Sequence, residues 1–367
     1  MIMAMIKTVA AALIVSFVPV ASTQPIIAVS TPAPVAERSL IAWEPGEVRC
    51  GATVVSPAFL ERPMATLAWV SQPQAGPVTY RFVIEPDGRT SNIRKAAKDA
   101  RAMGGDDIAP SLAASRFAAG KGHFDCTIAY APRQTGLDST PLADLAAYSV
   151  NAISGPLPKN AWDRMYAQSD CRDERALGLK NRVFPNFRDI AGTPGVRNWS
   201  MVGFDIADDG VTTNVKTLAG TADPALDAAS RTAVEQTRYY KGGRTGCRYP
   251  YWRAPATLAA PSAPDEESFR PAGSTCPEKV EWTVPPSLRF PETYRRRAIE
   301  GWAVVSYDVA PWGEVSNVKV LASQPTEDFG NQSITVVRGG KVAATQGFVG
   351  CVDLVRFEMS PDASDQS

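Results

Sequence analysis

The residue types that most often carry out chemistry are few in this sequence. Its 367 residues include one histidine, His123, which excludes sites that need two histidines, such as the commonest zinc sites and histidine-pair proton relays. No nucleophile motif accompanies His123, so we interpret it as a turn or surface residue. Asp87, Asp208 and Asp209 are interpreted as turn formers, because a calcium loop would need more closely spaced acidic residues. We therefore expect a non-enzymatic protein with no catalytic residue, no metal site and no cofactor.

The cysteines, in contrast, are regularly spaced. Taken in order as pairs, the six cysteines are separated by 76, 76 and 75 residues. Three nearly equal spans indicate a repeated unit, and each unit must then carry its own pair. The spacing thus predicts the disulfides Cys50–Cys126, Cys171–Cys247 and Cys276–Cys351. A thiolate metal site would need short spacings such as Cys-x-x-Cys, which the sequence lacks.

The N-terminal residues have the pattern of an export signal, which fits with disulfides. Lys7 precedes an apolar run from Val9 to Val18, and small residues follow Pro19. We expect a signal peptide over residues 1–23 and a flexible lead-in over 24–44, which place the protein in the periplasm of a Gram-negative-type cell. The alternative is an uncleaved anchor in the inner membrane with the rest facing the periplasm. Membrane contact is expected only in that second case.

Each cysteine span contains the same landmarks. A turn glycine lies near its middle, an asparagine follows four residues later, and an alternating strand precedes the glycine. These landmarks are Gly88 and Asn92, Gly210 and Asn214, and Gly313 and Asn317. Alternation on both sides of a turn glycine is typical of a β-hairpin. The sequence therefore predicts three copies of one hairpin-containing module.

A helix and a last strand complete the predicted module. Asp223-Pro224 begins a clear helical pattern in the middle copy, and Ile108 to Phe117 is its counterpart in the first. In the third copy, Asn331 to Arg338 is rich in β-branched residues, so we expect its helix to be short or lost. With a short helix before the hairpin, the unit is α-β-β-α-β. The predicted fold class is α+β, with three tandem small modules of antiparallel sheet, each with one internal disulfide.

The connecting segments give the predicted boundaries. A small helix is expected at Leu142 to Tyr148, and the Pro/Ala-rich second linker is expected to be a flexible tether. The predicted organisation is module 1 over 45–135, a connector over 136–165, module 2 over 166–254, a linker over 255–274, module 3 over 275–361 and a tail over 362–367.

Charge limits the classes of partner. Lysine plus arginine and aspartate plus glutamate both number 38, so we expect no nucleic-acid partner. The run Arg295-Arg296-Arg297 is interpreted as a solvated helix face, with contact to an acidic partner as the alternative. Trp302 and Trp312 either anchor a partner or pack within the protein, and the sequence does not decide between these roles.

The third copy carries a recognisable motif. It reads Phe290-Pro291-x-x-Tyr294-Arg295-Arg296-Arg297-Ala298-Ile299-Glu300-Gly301, a strand, and then Pro311-x-Gly313-x-Val315-Ser316-Asn317-Val318-Lys319. This pattern resembles the C-terminal domain of TonB-family energy transducers, with Pro291, Arg295, Gly301, Gly313 and Asn317 as the motif residues. The middle and first copies are similar in fewer positions.

The resemblance implies a binding function. Domains of that family work in the periplasm and add a strand of an outer-membrane transporter to their sheet edge, a general use of an exposed edge. The implied partner is thus an outer-membrane transporter segment or another envelope protein. The candidate edge is the last strand of module 3, comprising Val352, Asp353, Leu354, Val355, Arg356 and Phe357. The alternative is an envelope-associated scaffold whose repeats cover one another's edges.

Overall fold

The computed structural model describes residues 37–70, 76–97, 102–172, 178–240, 243–343 and 346–359. The expected signal peptide, most of the expected lead-in and the expected tail at 362–367 lie outside these ranges. Residues Glu37–Ser367 form one compact unit. Within the described ranges, no helix has the length and apolar composition needed to cross a bilayer.

The first region, residues 38–136, is built on a seven-stranded antiparallel sheet. Its elements are β1 (Arg38–Pro45), β2 (Arg49–Cys50), β3 (Thr53–Val54), β4 (Thr66–Trp69), β5 (Val78–Ile84), β6 (Thr90–Lys95), α1 (Ile108–Ala114) and β7 (His123–Gly136). Five strands follow the order β3-β2-β7-β1-β4, and the hairpin of β5 and β6 joins through pairing of β5 with β7.

The prediction of a flexible lead-in over 24–44 is wrong at its C-terminal end. Arg38–Pro45 forms β1, which pairs with β4 on one side and with β7 on the other. Leu40, Ile41 and Trp43 are buried. Burial of these side chains stabilises an ordered strand where proline-rich sequence just upstream suggested a linker.

The second region, residues 166–254, follows two connector helices. The elements are α2 (Leu142–Val150), α3 (Lys159–Met165), β8 (Leu179–Asn181), β9 (Asn198–Ile206), β10 (Thr212–Gly220), α4 (Pro224–Gln236), β11 (Arg238–Tyr239) and β12 (Arg244–Arg253). The main sheet has the order β10-β9-β12. The carboxylate of Asp223 accepts hydrogen bonds from the backbone N–H groups of Ala225 and Leu226, which explains why α4 begins at Pro224.

The third region, residues 275–359, repeats this plan. Its elements are β13 (Trp282–Val284), α5 (Glu292–Arg296), β14 (Gly301–Val309), β15 (Val315–Gln324), α6 (Glu327–Arg338), β16 (Lys341–Val342) and β17 (Phe348–Phe357). The main sheet has the order β15-β14-β17. The α+β class with antiparallel sheets is confirmed.

The prediction that the third helix is short or lost is wrong, because α6 is a regular helix of 12 residues. Its β-branched residues lower helix propensity only slightly. Phe329, Val336 and Val337 are buried, and α6 packs against β14 and β15. Tertiary packing therefore outweighs the weak local preference for extended backbone.

A hairpin, a helix and a returning strand occur in all three regions, but the helix before the hairpin does not. It is α5 in the third region and a 3₁₀ turn, Phe187–Asp189, in the second. Among the described residues of the first region no helix precedes β5. The predicted α-β-β-α-β unit is thus complete only in the third region.

The turn glycines have nearly the same geometry in each region. Gly88, Gly210 and Gly313 have φ values of 81°, 84° and 91°. A Cβ atom on them would lie 2.1, 2.0 and 2.0 Å from the carbonyl oxygens of Phe117, Tyr239 and Val342, respectively. Each of these three residues also donates its backbone N–H to the glycine carbonyl at 2.9 Å. The close approach and the positive φ both require glycine.

The predicted disulfides are confirmed, and each closes one region. Cys50–Cys126, Cys171–Cys247 and Cys276–Cys351 are bonded. Each joins the segment before a hairpin to the strand that follows the helix. On the chain-entropy model, closing a loop of this size contributes about 4 kcal/mol to the free energy of unfolding.

The linker predicted over 255–274 is not a free tether. Leu258 is buried. Its backbone N–H donates to the carbonyl of Ala298, and its carbonyl accepts from the N–H of Glu300. Further along, Ala260, Ala263 and Phe269 pack on the outer face of the third sheet. Small side chains and prolines allow this segment to lie flat on the sheet.

Candidate functional site: the edge strand of the third sheet

β17 lies at the edge of the third sheet and pairs with β14 in register from Gly301 with Phe357 to Tyr307 with Cys351. The candidate residues Val352 to Phe357 fall within this stretch. Among the described residues, their backbone makes no hydrogen bond to any segment other than β14. The other side of this stretch therefore offers backbone N–H and C=O groups to an added strand.

The two ends of β17 have other partners. At the N-terminal end, the Thr275 N–H donates to the carbonyl of Val349 at 3.1 Å, and the Ser274 hydroxyl donates to the carbonyl of Gly350 at 3.0 Å. Just beyond the C-terminal end, the Met359 N–H donates to the Glu300 carboxylate at 2.8 Å. These contacts leave the stretch from Val352 to Phe357, which lies between them, for an added strand.

Both faces of the sheet around β17 are covered. On one face, Val305 and Cys351 belong to a core cluster that includes Val337 of α6. On the other, Val352 packs with residues of the 260–269 segment, including Phe269. A partner can thus reach the strand from its edge and not from its faces.

Asp353 is the acidic residue of the candidate edge. Burial raises the pKa of its carboxyl, and the Tyr307 hydroxyl, which donates to Oδ2 at 2.9 Å, opposes this shift together with the charge of Arg270. Arg356 is exposed, and Phe357 is buried in a core shared with the first region. The edge therefore presents mainly backbone groups and one exposed guanidinium.

None of the predicted motif residues is part of β17, and they support the fold of the third region. Pro291 directly precedes α5, and the exposed Arg295 donates to Glu292 at 2.9 Å within that helix. A Cβ on Gly301 would lie 2.5 Å from the Phe329 ring, so glycine lets α6 approach the sheet. Gly313 forms the hairpin turn described above.

Asn317 completes that hairpin. Its backbone is left-handed, with φ of 50°, and its side-chain amide donates to the Asp308 carboxylate at 2.7 Å. The Gly350 N–H donates to the same carboxylate at 2.9 Å. These two bonds, the first being the larger effect, lower the pKa of Asp308. The arrangement joins the hairpin to β17 beside Cys351.

The corresponding strands of the other regions are less suited to strand addition. In the first region, β7 is paired at Cys126 with β5 on one side and with β2 on the other. In the second region, β12 contains Pro250, which has no N–H to donate. β17 has neither obstacle between Val352 and Phe357.

Sequence reasoning missed the contact that joins the first and third regions. The interpretation of the arginine run as a solvated helix face is wrong for Arg297, which is 0% exposed. Its guanidinium donates to Asp107 at 2.8 Å through Nε and to Glu61 at 2.8 Å through Nη1. Asp107 lies 190 residues away in the chain, so no local pattern identifies the pair.

The electrostatics of this buried cluster follow from its composition. Burial raises the pKa of Glu61, and the charge of Arg297 opposes that shift. Burial disfavours the charged form of Arg297, but Asp107 and then Glu61 outweigh this and raise its pKa. The carbonyls of Gly195 and Arg62 also accept from Arg297, at 3.2 and 3.0 Å. Residues of the first and second regions thus bond to one guanidinium of the third region.

The structure decides the role of one of the two tryptophans. Trp302 is 5% exposed and donates to the carbonyl of Pro261 at 2.8 Å, so it packs. Trp312 is 62% exposed and is available to a partner. His123 is exposed at the start of β7. Among the described residues, no cluster of histidine, cysteine, aspartate and glutamate could hold a metal ion.

The arrangement of the third region has a counterpart among known families. Residues 286–347 match the family of the Gram-negative bacterial TonB protein C-terminal. The matched segment contains α5, β14, β15 and α6 with all five motif residues, and it ends directly before β17. A TonB C-terminal domain indicates a Gram-negative envelope protein. No curated protein matches the chain.

Proposed function

We propose that the protein is a non-catalytic periplasmic binding protein whose third region adds an extended peptide segment to β17. The segment comes from an outer-membrane transporter or another envelope partner, and the function is linked to TonB-dependent transport. The first and second regions are diverged copies of the TonB-type module. The observation that carries the proposal is the stretch from Val352 to Phe357, whose side away from β14 pairs with no strand among the described residues. Both faces of the sheet there are covered, and the stretch contains no proline.

The shared turn geometry supports a common origin of the three regions. The glycine-to-carbonyl contacts and the N–H bonds to the glycine carbonyl are nearly identical in all three. Asn92, Asn214 and Asn317 all have left-handed backbone, with φ of 51°, 52° and 50°. Residue types other than glycine rarely adopt this conformation.

The test is binding of the oxidised, full-length protein to extended peptides from transporter N-terminal segments, measured by isothermal titration calorimetry. Saturable binding is expected, and two peptides N-methylated at alternating residues form the matched control. Only one of the two should bind at least tenfold more weakly than the unmethylated peptide, because successive N–H groups of a strand point in opposite directions. The Leu354→Pro variant should also lose affinity while keeping its thermal midpoint within a few degrees.

Absence of binding at roughly 1 mM peptide, or equal weakening by both methylated peptides, would contradict strand addition. The second candidate would then lead, a structural envelope scaffold. One observation favours it: the first region covers the end of β15, since Ile93 N–H donates to the carbonyl of Pro325 at 2.9 Å. N-terminal sequencing of protein from the periplasmic fraction tests the proposed cleavage after the export signal.

A further inference from the structure

Two neighbouring cavities share a wall where the three regions meet. The first, of about 360 Å³, lies between the first region, α2 and the second region, and we call it the apolar cavity because Leu60, Ala147 and Trp199 give it an apolar part beside its carboxylates. The polar cavity, of about 380 Å³, is lined by residues that include Arg295 and Arg296. Asn151 and Arg197 line both cavities. We call the two together the inter-region cleft.

Arg197 is a cation without a counter-ion in this cleft. Its Nε is buried and has no hydrogen-bond partner, and among the described residues it forms no ion pair. Burial lowers its pKa, and so do the charges of Arg296 and Arg297. The nearby charges of Arg296 and Arg297 repel that of Arg197, and an anion bound at Arg197 would relieve this repulsion.

The acidic residues of the cleft do not supply that anion, because each has another arginine partner. In the polar cavity, Glu292 pairs with Arg295 at 2.9 Å and with Arg296 at 3.6 Å. In the apolar cavity, the pairs are Glu44 with Arg62 at 2.6 Å, Glu44 with Arg133 at 2.9 Å, Asp144 with Arg133 at 2.8 Å and Glu61 with Arg297 at 2.8 Å. Arg197, on the wall that the two cavities share, is therefore without a carboxylate partner among the described residues.

Asn151 supplies a complementary group and lines the same two cavities as Arg197. It directly follows the last residue of α2, and its Oδ1 is buried without a hydrogen-bond partner. A buried acceptor of this kind is satisfied by an N–H donor. The cleft thus offers a cation for a carboxylate, an acceptor for an N–H group and, next to both, an apolar cavity.

A peptide C-terminus carries these three features within one residue. We propose that the inter-region cleft binds the last residue of a peptide, with its free carboxylate at Arg197, its backbone N–H at Asn151 Oδ1 and an apolar side chain in the apolar cavity. Arg295 and Arg296 add to the positive potential around the carboxylate. This site is separate from β17 and does not depend on strand addition.

The test uses N-acetyl-alanyl-alanyl-leucine and its C-terminal amide as probes in calorimetric titrations of the full-length protein. The free acid should bind, and the amide should bind at least tenfold more weakly because it lacks the charge-assisted hydrogen bonds. Arg197→Gln should weaken binding of the acid about tenfold or more. The matched control is Arg94→Gln, which removes an exposed arginine of β6 and should leave binding unchanged.

Arg197→Gln is expected to fold, because it removes a repelled charge, and its thermal midpoint should be equal to or above that of the unchanged protein. Leu354→Pro should bind the tripeptide normally, which separates this site from the β17 edge. Equal affinity for acid and amide, an unchanged affinity in Arg197→Gln, or no binding at roughly 1 mM tripeptide would each overturn the proposal.

Discussion

The first and third hairpins place an asparagine in the same left-handed conformation and use its side chain differently. In the third hairpin, Asn317 bonds to Asp308 of its own sheet. In the first hairpin, Val83 stands at the position of that aspartate, and Asn92 instead exchanges two hydrogen bonds of 2.9 Å with Gln324 of the third region. The second hairpin resembles the third, since Asn214 donates to Asp205 at 2.7 Å.

The difference shows which constraints are local and which depend on docking. The backbone of the hairpin requires the same glycine and asparagine in every region. The asparagine side chain is free to act elsewhere once Val83 replaces the aspartate. The first region uses it, together with the backbone of Ile93 and Lys95, to dock on the third.

The largest expected effect on stability is at the buried cluster of Arg297, Asp107 and Glu61, which joins the first and third regions. Arg297→Met should lower the free energy of unfolding by about 3–5 kcal/mol, because Asp107 and Glu61 would remain buried without a counter-charge. Arg295→Met is the matched control and should change it by less than about 0.5 kcal/mol, because that side chain is exposed. Chemical denaturation of both variants measures this, and equal losses would contradict the assignment.

The same variant should have a distinct pH dependence. In the unchanged protein, burial already raises the pKa of Glu61, and loss of Arg297 should raise it further. A carboxyl with a raised folded-state pKa destabilises the fold at pH values above that pKa, and protonation relieves the penalty as the pH falls. The deficit of Arg297→Met should therefore be smaller at pH 5 than at pH 7.5. A deficit that grows on acidification would contradict this.

An intermediate effect is expected at the turns, and it should be similar in the two hairpins. Gly88→Ala and Gly313→Ala should each cost at least about 2 kcal/mol, because the new Cβ meets a carbonyl oxygen and the residue has positive φ. Denaturation midpoints at matched conditions compare them. A large loss for one variant alone would contradict the shared backbone requirement.

The smallest effect distinguishes the two asparagines. Glycine keeps the left-handed backbone, so Asn317→Gly and Asn92→Gly should each cost only about 1 kcal/mol through lost hydrogen bonds. Only Asn317→Gly should raise the pKa of Asp308 toward its ordinary value of 3.8, as measured by NMR titration. The lowered pKa stabilises the unchanged protein above pH 3.8, and this contribution is lost as the pH falls through the folded-state value. The same shift in both variants would contradict the comparison.

The sequence by itself determined the features that depend on local geometry. Cysteine spacing, the turn glycines and the alternating strands predicted three disulfides, three hairpins and an α+β class, because each pattern reflects backbone requirements within one region. The motif around Pro291 and Gly313 likewise indicated the family of the third region. The β17 edge was predicted as a strand, and whether it binds a partner is the subject of the proposal.

Only the tertiary structure decided how the regions meet. Nothing near Arg297 in the sequence separates it from Arg295, yet packing buries one and exposes the other. The segment after Ala254 looked like a tether, and its small side chains instead cover a sheet. Arg197 and Asn151 form a cleft wall because three regions converge there. These features arise from contacts between residues far apart in the chain, and hydrophobic burial and charge pairing across such distances leave no periodic pattern in the sequence.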